Sequence, residues 1–434
     1  MSKGYSYWER AKKVIPGGNM LLSKRAELFL PGKWPSYFSS ARGCNVTDLD
    51  GNSYIDMTIM GIGTNTLGYG CKEVDEAVIE IAKLGNLSTL NCFEEVLLAE
   101  KLVSLHPWAD MARFCRAGGE ANSIAVRIAR AFKNKEKIAL CGYHGWHDWY
   151  LASNIENKSA LTEHLLSGLS TNGIPKDLSG TVLPFSYNNI QQIYKIIKNN
   201  DLAAVIMEVE RSTPPSKGYL EEIRDLCNRN NIVLIFDEIS SGFRETLGGL
   251  HLKYSVEPDM CIFGKALGNG YAITAILGKE EIMQTAQETF ISSTFWTERI
   301  GPTAALKTLE IMERTESYKK ITKLGLYLKQ TWQKLADKYN LKIIQKGIPA
   351  LSGFNFNSSN DLAYKTLITQ EMLKKGYLAS NICYLSTAHS YSIIDEYANH
   401  LQYIFELIAE CENGRDVKDF LDGSICHSGF QRLN

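Results

Sequence analysis

No run of about 20 apolar residues, the length that a bilayer-spanning helix requires, occurs in this sequence, although 44% of its 434 residues are hydrophobic. The opening stretch, residues 1–18 (MSKGYSYWERAKKVIPGG), also lacks a continuous apolar segment, so neither a membrane anchor nor a secretory leader is expected. An excess of one charge is missing too. The formal net charge is −1 with a pI near 6.7, which leaves no global field to attract nucleic acid or an anionic membrane. Anionic ligands have to be held by local groups. The ten cysteines form no CxxC pair, and several lie inside apolar runs where they act as small hydrophobes, so no disulfide framework or metal site is expected. A reducing cytoplasm fits this usage. Internal repeats and low-complexity segments are absent as well.

The chain is long enough for one large core and a smaller satellite. Residues 1–60 begin with a short amphipathic helix, break at Pro16-Gly17-Gly18, and continue as short strands between Gly43 and Met57 around a turn at Asp50-Gly51-Asn52. From 61 to 310 helical stretches alternate with brief apolar runs: IALCGYH (138–144), LAAVIMEV (202–209), IVLIFDE (232–238) and MCIFGK (260–265). Such runs predict a mostly parallel sheet covered on both faces, an α/β architecture. Residues 311–434 return to helix, short strands and helix before a polar tail from about Glu412. The expected layout is a large domain over 61–310 and a smaller α+β domain built from 1–60 and 311–434.

Open α/β sheets bind ligands beyond the carboxyl ends of their strands, and four strand ends here carry chemistry. In RFCRAGGEANSIAVRIARAF (113–132), apolar residues recur with helical period after Gly118-Gly119, at Ala121, Ile124, Ala125 and Ile128. That places the glycine pair at a helix N-terminus, where unobstructed N–H groups form a phosphate cradle; an ordinary glycine turn gives the same pattern. YHGWHD (143–148) offers Tyr143 as a stacker for a planar heterocycle or as a core tyrosine. His144 and His147 stand at i and i+3 with no third ligand nearby, which argues against metal. Asp237 ends its strand where a carboxylate needs a cationic or hydrogen-bonding partner, such as a protonated pyridine nitrogen, a helix cap or a structural ion pair. Lys265 follows the apolar Cys261-Ile262-Phe263-Gly264, an improbable place for a surface lysine. Partial burial and nearby positive charge lower a lysine pKa towards the neutral amine needed for imine formation. Together these four strand ends describe a mount for pyridoxal 5'-phosphate (PLP).

The motifs IPGG (15–18), VTDLDGNSYIDM (46–57), RAGGEAN (116–122), YHGWHD, DEISSGFR (237–244), FGKALGNG (263–270) and LSTAHS (385–390) resemble those of the class III aminotransferases of PLP fold type I, and most closely the glutamate-1-semialdehyde 2,1-aminomutase-like members. The likeness covers nearly the whole chain. It implies a seven-stranded-type, mostly parallel sheet, with Lys265 as the Schiff-base lysine, Asp237 as partner of the pyridine nitrogen, and Tyr143 on one ring face. Gly118 and Gly119 match the phosphate loop, and His144 is a further expected cofactor contact. Ile239 matches the residue on the other ring face, Ser240 its neighbour, and Glu208 an acid at the next strand end. Thr294, in SSTFWTERIGP, matches a threonine that reaches the partner subunit's phosphate, which implies a homodimer with shared active sites.

Departures from the family pattern carry information about the substrate. Where the phosphate loop usually reads Ser-Gly-Thr-Glu-Ala, Ala117 and Gly119 replace both hydroxyl residues here. The segment after Glu208 is shorter than in the aminomutase and brings Arg211 close to the strand end. Asn381 stands where the mutase presents a glutamate near its substrate. These changes resemble mutase-like aminotransferases of sugar and surface-polysaccharide pathways. The expected reaction is transfer of an amino group from an amino-acid donor, glutamate, to a small anionic carbonyl acceptor such as a keto sugar or triose phosphate. Arg211, then Lys24 and Arg25, are the candidate anchors for that anion, and Asn381 is a further substrate contact. The alternatives are an intramolecular aminomutase using the same lysine, and a catalytically silent PLP-fold binding protein, against which the retention of Lys265 and Asp237 argues.

Overall fold

A computed structural model describes residues 2–210, 212–430 and 433. The chain forms two compact units, one comprising Met1–Cys71 with Lys319–Asn434 and the other Lys72–Tyr318. The divisions thus fall later than the 60/61 and 310/311 boundaries drawn from the sequence. At the first, glycine-rich residues 61–71 belong to the smaller unit because Gly43 and Tyr69 exchange backbone hydrogen bonds of 2.8 and 2.7 Å. Tyr69 also donates its hydroxyl to buried Asp56 at 2.6 Å. At the second, the helix Ile300–Thr315 runs straight through the sequence boundary, with Ile311 and Met312 still buried.

The larger unit is built on a seven-stranded sheet. Its strands in chain order are β1 (Met111–Cys115), β2 (Lys137–Cys141), β3 (Val182–Pro184), β4 (Leu202–Met207), β5 (Val233–Asp237), β6 (Met260–Phe263) and β7 (Thr274–Gly278). The spatial order is β1-β7-β6-β5-β4-β2-β3. β7 runs antiparallel to both neighbours, and the other pairings are parallel. Every residue of β4, β5, β6 and β7 is buried, as expected where helices cover both faces of a sheet. The helix Gly118–Lys133 buries the predicted Ala121, Ile124, Ala125 and Ile128, and its last turn ends on Asn134 in the left-handed conformation that a side-chain amide tolerates (φ 50°).

The smaller unit has a sheet of Phe38–Arg42, Asn45–Asp48, Ser53–Met57 and Tyr377–Ala379, the last parallel to the third, and a second, antiparallel sheet of Ile343–Lys346, Leu351–Phe356 and Ile382–Tyr384. The predicted turn at 50–52 is closed by Asp48, whose carboxylate accepts from the N–H groups of Asp50 (2.8 Å) and Asn52 (2.9 Å). Its core gathers Trp332, Phe354, Tyr397 and Phe405. The C-terminal tail lies on the N-terminal segment of this same unit: His427 N–H donates to Glu27 O at 2.7 Å, the Arg25 guanidinium lies 5.7 Å from the Phe430 ring centre, and Leu433 packs with Trp8, Ala11 and Ala26. The cysteines form no disulfide among the described residues. No helix among the described residues is long and apolar enough to cross a membrane.

Candidate active site

β5 and β6 are parallel neighbours, with Asp237 paired to Ile262, so the acid and the segment leading into Lys265 emerge at the same sheet edge. Asp237 is buried. Its Oδ2 accepts from Asn122 Nδ2 at 2.9 Å and lies 2.8 Å from His144 Nδ1, while Oδ1 accepts from Ile239 N at 3.0 Å. A carboxylate offers about four acceptor positions. Three are filled by the described residues, and the remaining capacity is on Oδ1.

Lys265 opens a short 3-10 turn, Lys265–Gly268, and has a φ of 42°. A residue with a Cβ adopts that left-handed conformation at a cost of about 1–3 kcal/mol, which is met only where the surroundings over-determine it. Its Nζ donates to Ser240 Oγ at 2.5 Å, and Ser240 O in turn accepts from buried Arg244 Nε at 2.5 Å. The amine is therefore half-buried and aimed at the residues that follow Asp237.

Gly118 and Gly119 begin the helix Gly118–Lys133. Glu120 turns back so that its Oε2 accepts from the N–H groups of Arg116 (3.1 Å) and Ala117 (2.9 Å). The N–H groups of Gly118 and Gly119 have no acceptor among the described residues, as the first turn of a helix dictates. Side chains are excluded at both positions: a Cβ on Gly118 would lie 2.7 Å from Ile239 Cδ1, and one on Gly119 2.8 Å from His147. The pair of bare amides thus opens next to Ile239 and the loop 143–148.

Tyr143 and Ile239 are partly buried and pack on the same core cluster. Tyr143 N donates to buried Glu208 Oε2 at 3.1 Å. That approach needs glycine at 142, where φ is 118° and a Cβ would sit 2.7 Å from the same oxygen. His144, fully buried, is turned to Asp237, with Nε2 3.2 Å from Cys141 O. Thr294 is exposed at the start of the turn Thr294–Thr297. The turn is fastened near the glycine pair, since Arg116 Nη2 donates to Trp296 O (3.1 Å) and Trp296 Nε1 to Glu120 Oε2 (3.3 Å).

Arg211 lies outside the described residues. Lys24, Arg25 and Asn381 belong to the smaller unit. Lys24 is exposed on the short turn Leu22–Lys24, and the Arg25 guanidinium packs against Gly17 and Phe430. Asn381 is buried, and its Nδ2 donates to Phe354 O at 2.9 Å. Two contributors were missed from sequence. Asn122 was legible as a polar residue one turn after Gly118 on a core-facing helix; the position of His147 over Gly119 had no sequence signal.

The residues present fit PLP on three independent counts: bare amides at a helix start for a phosphate, an acid with acceptor capacity left for a ring N–H, and a half-buried amine beside them. That set, at the carboxyl ends of a seven-stranded mixed sheet, defines a PLP enzyme of fold type I. The class-III aminotransferase family model matches residues 32–408. A 3-aminobutyryl-CoA aminotransferase of Cloacimonas acidaminovorans is 35% identical over 423 residues, covering 94% of this chain and 96% of its own length. The glutamate-1-semialdehyde 2,1-aminomutase of Methanocaldococcus jannaschii is 30% identical over 431 residues, covering 94% and 98%. Among solved structures, the FumI protein of Sphingopyxis sp. MTA144 in its PLP form superposes with a TM-score of 0.86 at 26% identity, covering 95% of this chain and 98% of that one. The chain belongs to the class-III aminotransferase family, and it is a transaminase that depends on PLP.

Proposed function

We propose that this transaminase carries an amino group between two molecules, from glutamate to a small carbonyl compound bearing an anionic group, and that the residues gathered around Asp237 and Lys265 are its reaction centre. The observation that carries the reading is the pairing of an acceptor position left on Asp237 with the Lys265 amine held on Ser240. When bound, PLP supplies an aldehyde that takes up nitrogen and an electron-withdrawing ring that accommodates the electrons released at the substrate carbon.

Asp237 would hold the ring N–H, with Asn122 and His144 fixing the carboxylate from its other oxygen. The amides of Gly118 and Gly119 would hold the phosphate. Tyr143 and Ile239 would bound the ring faces and exclude water from them. Lys265 would hold and move the proton exchanged at the amino-bearing carbon of the substrate, and Ser240 would keep its amine within reach. Arg211, Lys24 and Arg25 are the proposed anchors for the acceptor's anionic group, with Asn381 as a further contact, and a keto sugar or triose phosphate is the proposed acceptor class, in a surface-polysaccharide pathway. The likeness to a 3-aminobutyryl-CoA aminotransferase favours a second reading, a 3-oxoacyl thioester.

A homodimer sharing its active sites accounts for apolar side chains that the single chain leaves in water, including Leu90 (81% exposed), Phe290 (86%) and Phe295 (70%), the last next to Thr294. A reducing cytoplasm is the proposed compartment. The test supplies ¹⁵N-glutamate with a panel of keto sugars, triose phosphates and 3-oxoacyl thioesters. Transfer between molecules puts the label in the product. An unlabelled product formed by rearrangement of a single substrate would make the enzyme a mutase.

A further inference from the structure

Of the two histidines in the loop 143–148, His144 is engaged by Asp237 and His147 is not. The space that a side chain at position 119 would enter is filled from this loop instead: a Cβ on Gly119 would lie 2.8 Å from both Nδ1 and Cε1 of His147. The approach is allowed by Gly145, which has a φ of 108° and on which a Cβ would sit 2.8 Å from Gly119 Cα. Trp146 stacks on the His147 ring with centroids 4.4 Å apart and planes at 23°. The His147 carbonyl receives the N–H groups of Tyr150 (2.9 Å) and Leu151 (3.2 Å). Trp149 Nε1 donates to Ser123 Oγ (2.9 Å), which donates to Gly119 O (2.8 Å), so loop and helix start are tied into one piece.

In this setting His147 Nδ1 is buried and has no hydrogen-bond partner among the described residues. A buried nitrogen without a partner is costly, and this one lies where a side chain of Gly119 would be, at the helix start that carries the bare amides. The sequence has no hydroxyl at 117 or 119 to share the load.

We propose that His147 Nδ1–H is a ligand of the cofactor's phosphate group, supplied from the loop in place of a hydroxyl on the helix start. The inference rests on the cofactor reading above. Burial holds the His147 imidazole below its ordinary value, opposed in part by Glu120 and Asp148, so near pH 7 the ring is neutral and has one N–H to give. A phosphate oxygen favours the tautomer that carries it on Nδ1, in a charge-assisted bond.

The test compares PLP with pyridoxal, which has no phosphate, by equilibrium dialysis and absorbance titration of the apoenzyme. His147→Phe keeps a ring under Trp146 and removes the donor; His147→Asn returns an N–H at similar reach. His147→Phe is expected to weaken PLP binding about 10- to 50-fold, the loss of one hydrogen bond to a charged group, with pyridoxal binding unchanged, and His147→Asn to recover most of it. A second pair uses the mutual exclusion of the two side chains. Gly119→Thr alone should weaken PLP binding through its collision with His147, and in a His147→Ala background it should tighten it. Equal losses for PLP and pyridoxal, no loss for either, or no benefit from Gly119→Thr in the His147→Ala background would overturn the assignment. Wild-type enzyme that takes up neither compound would instead sink the cofactor reading itself.

Discussion

Asp237 and Glu238 are consecutive residues at one strand end, both buried, and each meets a buried histidine: His144 at 2.8 Å and His251 at 2.5 Å. Alternation along the strand sends them to opposite faces of the sheet, and their surroundings differ in one countable respect. Glu238 Oε1 accepts from His251 N (3.0 Å) and Nδ1, and Oε2 from Ser241 Oγ (3.0 Å) and Leu250 N, so its acceptor positions are full. Asp237 receives three such bonds. On one face, then, the acid is consumed by the fold; on the other it keeps capacity for a ligand. Glu238, His251 and Cys261 lie close enough to share an ion, but donors from the chain already satisfy the carboxylate, and hydrogen bonding accounts for the cluster. Trp108 Nε1 closes it by donating to His251 Nε2 at 2.9 Å.

The largest separation between the two faces is expected from Lys265→Ala, which should lower turnover by about 10⁴-fold or more, the upper range for loss of a general acid–base group, with thermal unfolding little changed. Asp237→Asn should follow, losing about 10²- to 10³-fold in turnover, as when one preorganised electrostatic contact is removed. Glu238→Gln should invert the pattern, costing about 3 kcal/mol of stability in urea unfolding because a buried pair is broken, while turnover per folded molecule stays within a few-fold. If Glu238→Gln abolished turnover in fully folded enzyme, the division of labour would be wrong.

The smaller effect is a pH dependence on the structural face. Burial pushes His106, which sits beside His251, down to about 4. A histidine depressed in the folded state contributes stability that is complete above its unfolded value near 6.5 and is lost as pH falls towards 4, about 3 kcal/mol across that window. The Glu238 carboxyl adds to it lower down: burial works to raise its value, but bonds from His251 and Leu250 outweigh that and hold it below the ordinary range. Urea unfolding between pH 7 and 4 should therefore show a falling stability, and a flat profile would contradict the burial of neutral His106.

Much of this was readable in advance where burial is complete. β4, β5, β6 and, after its exposed first residue Lys137, β2 are apolar runs because their residues see no water, and Lys265 stood out for the same reason. β1 was implied only as the strand end before Gly118, with no apolar run, because MARFC is partly buried and carries Arg113; β3 went unseen because it has three residues, and β7 was not singled out although it is buried throughout. Asp237 was legible as a strand-end acid, but the difference between Asp237 and Glu238 was not, since it depends on Asn122, His251 and Leu250, brought in from elsewhere in the chain. The overlap of His147 with the space above Gly119 is likewise a product of chain packing, invisible in the spacing of YHGWHD.

The central claim, that Lys265 is the amine of the reaction centre, is tested most directly by borohydride reduction of the PLP-loaded enzyme followed by mass mapping of its peptides. A single phosphopyridoxyl group on Lys265, absent from Lys265→Ala, is the predicted result. A modification on another lysine, or none on a protein that binds PLP, would contradict it.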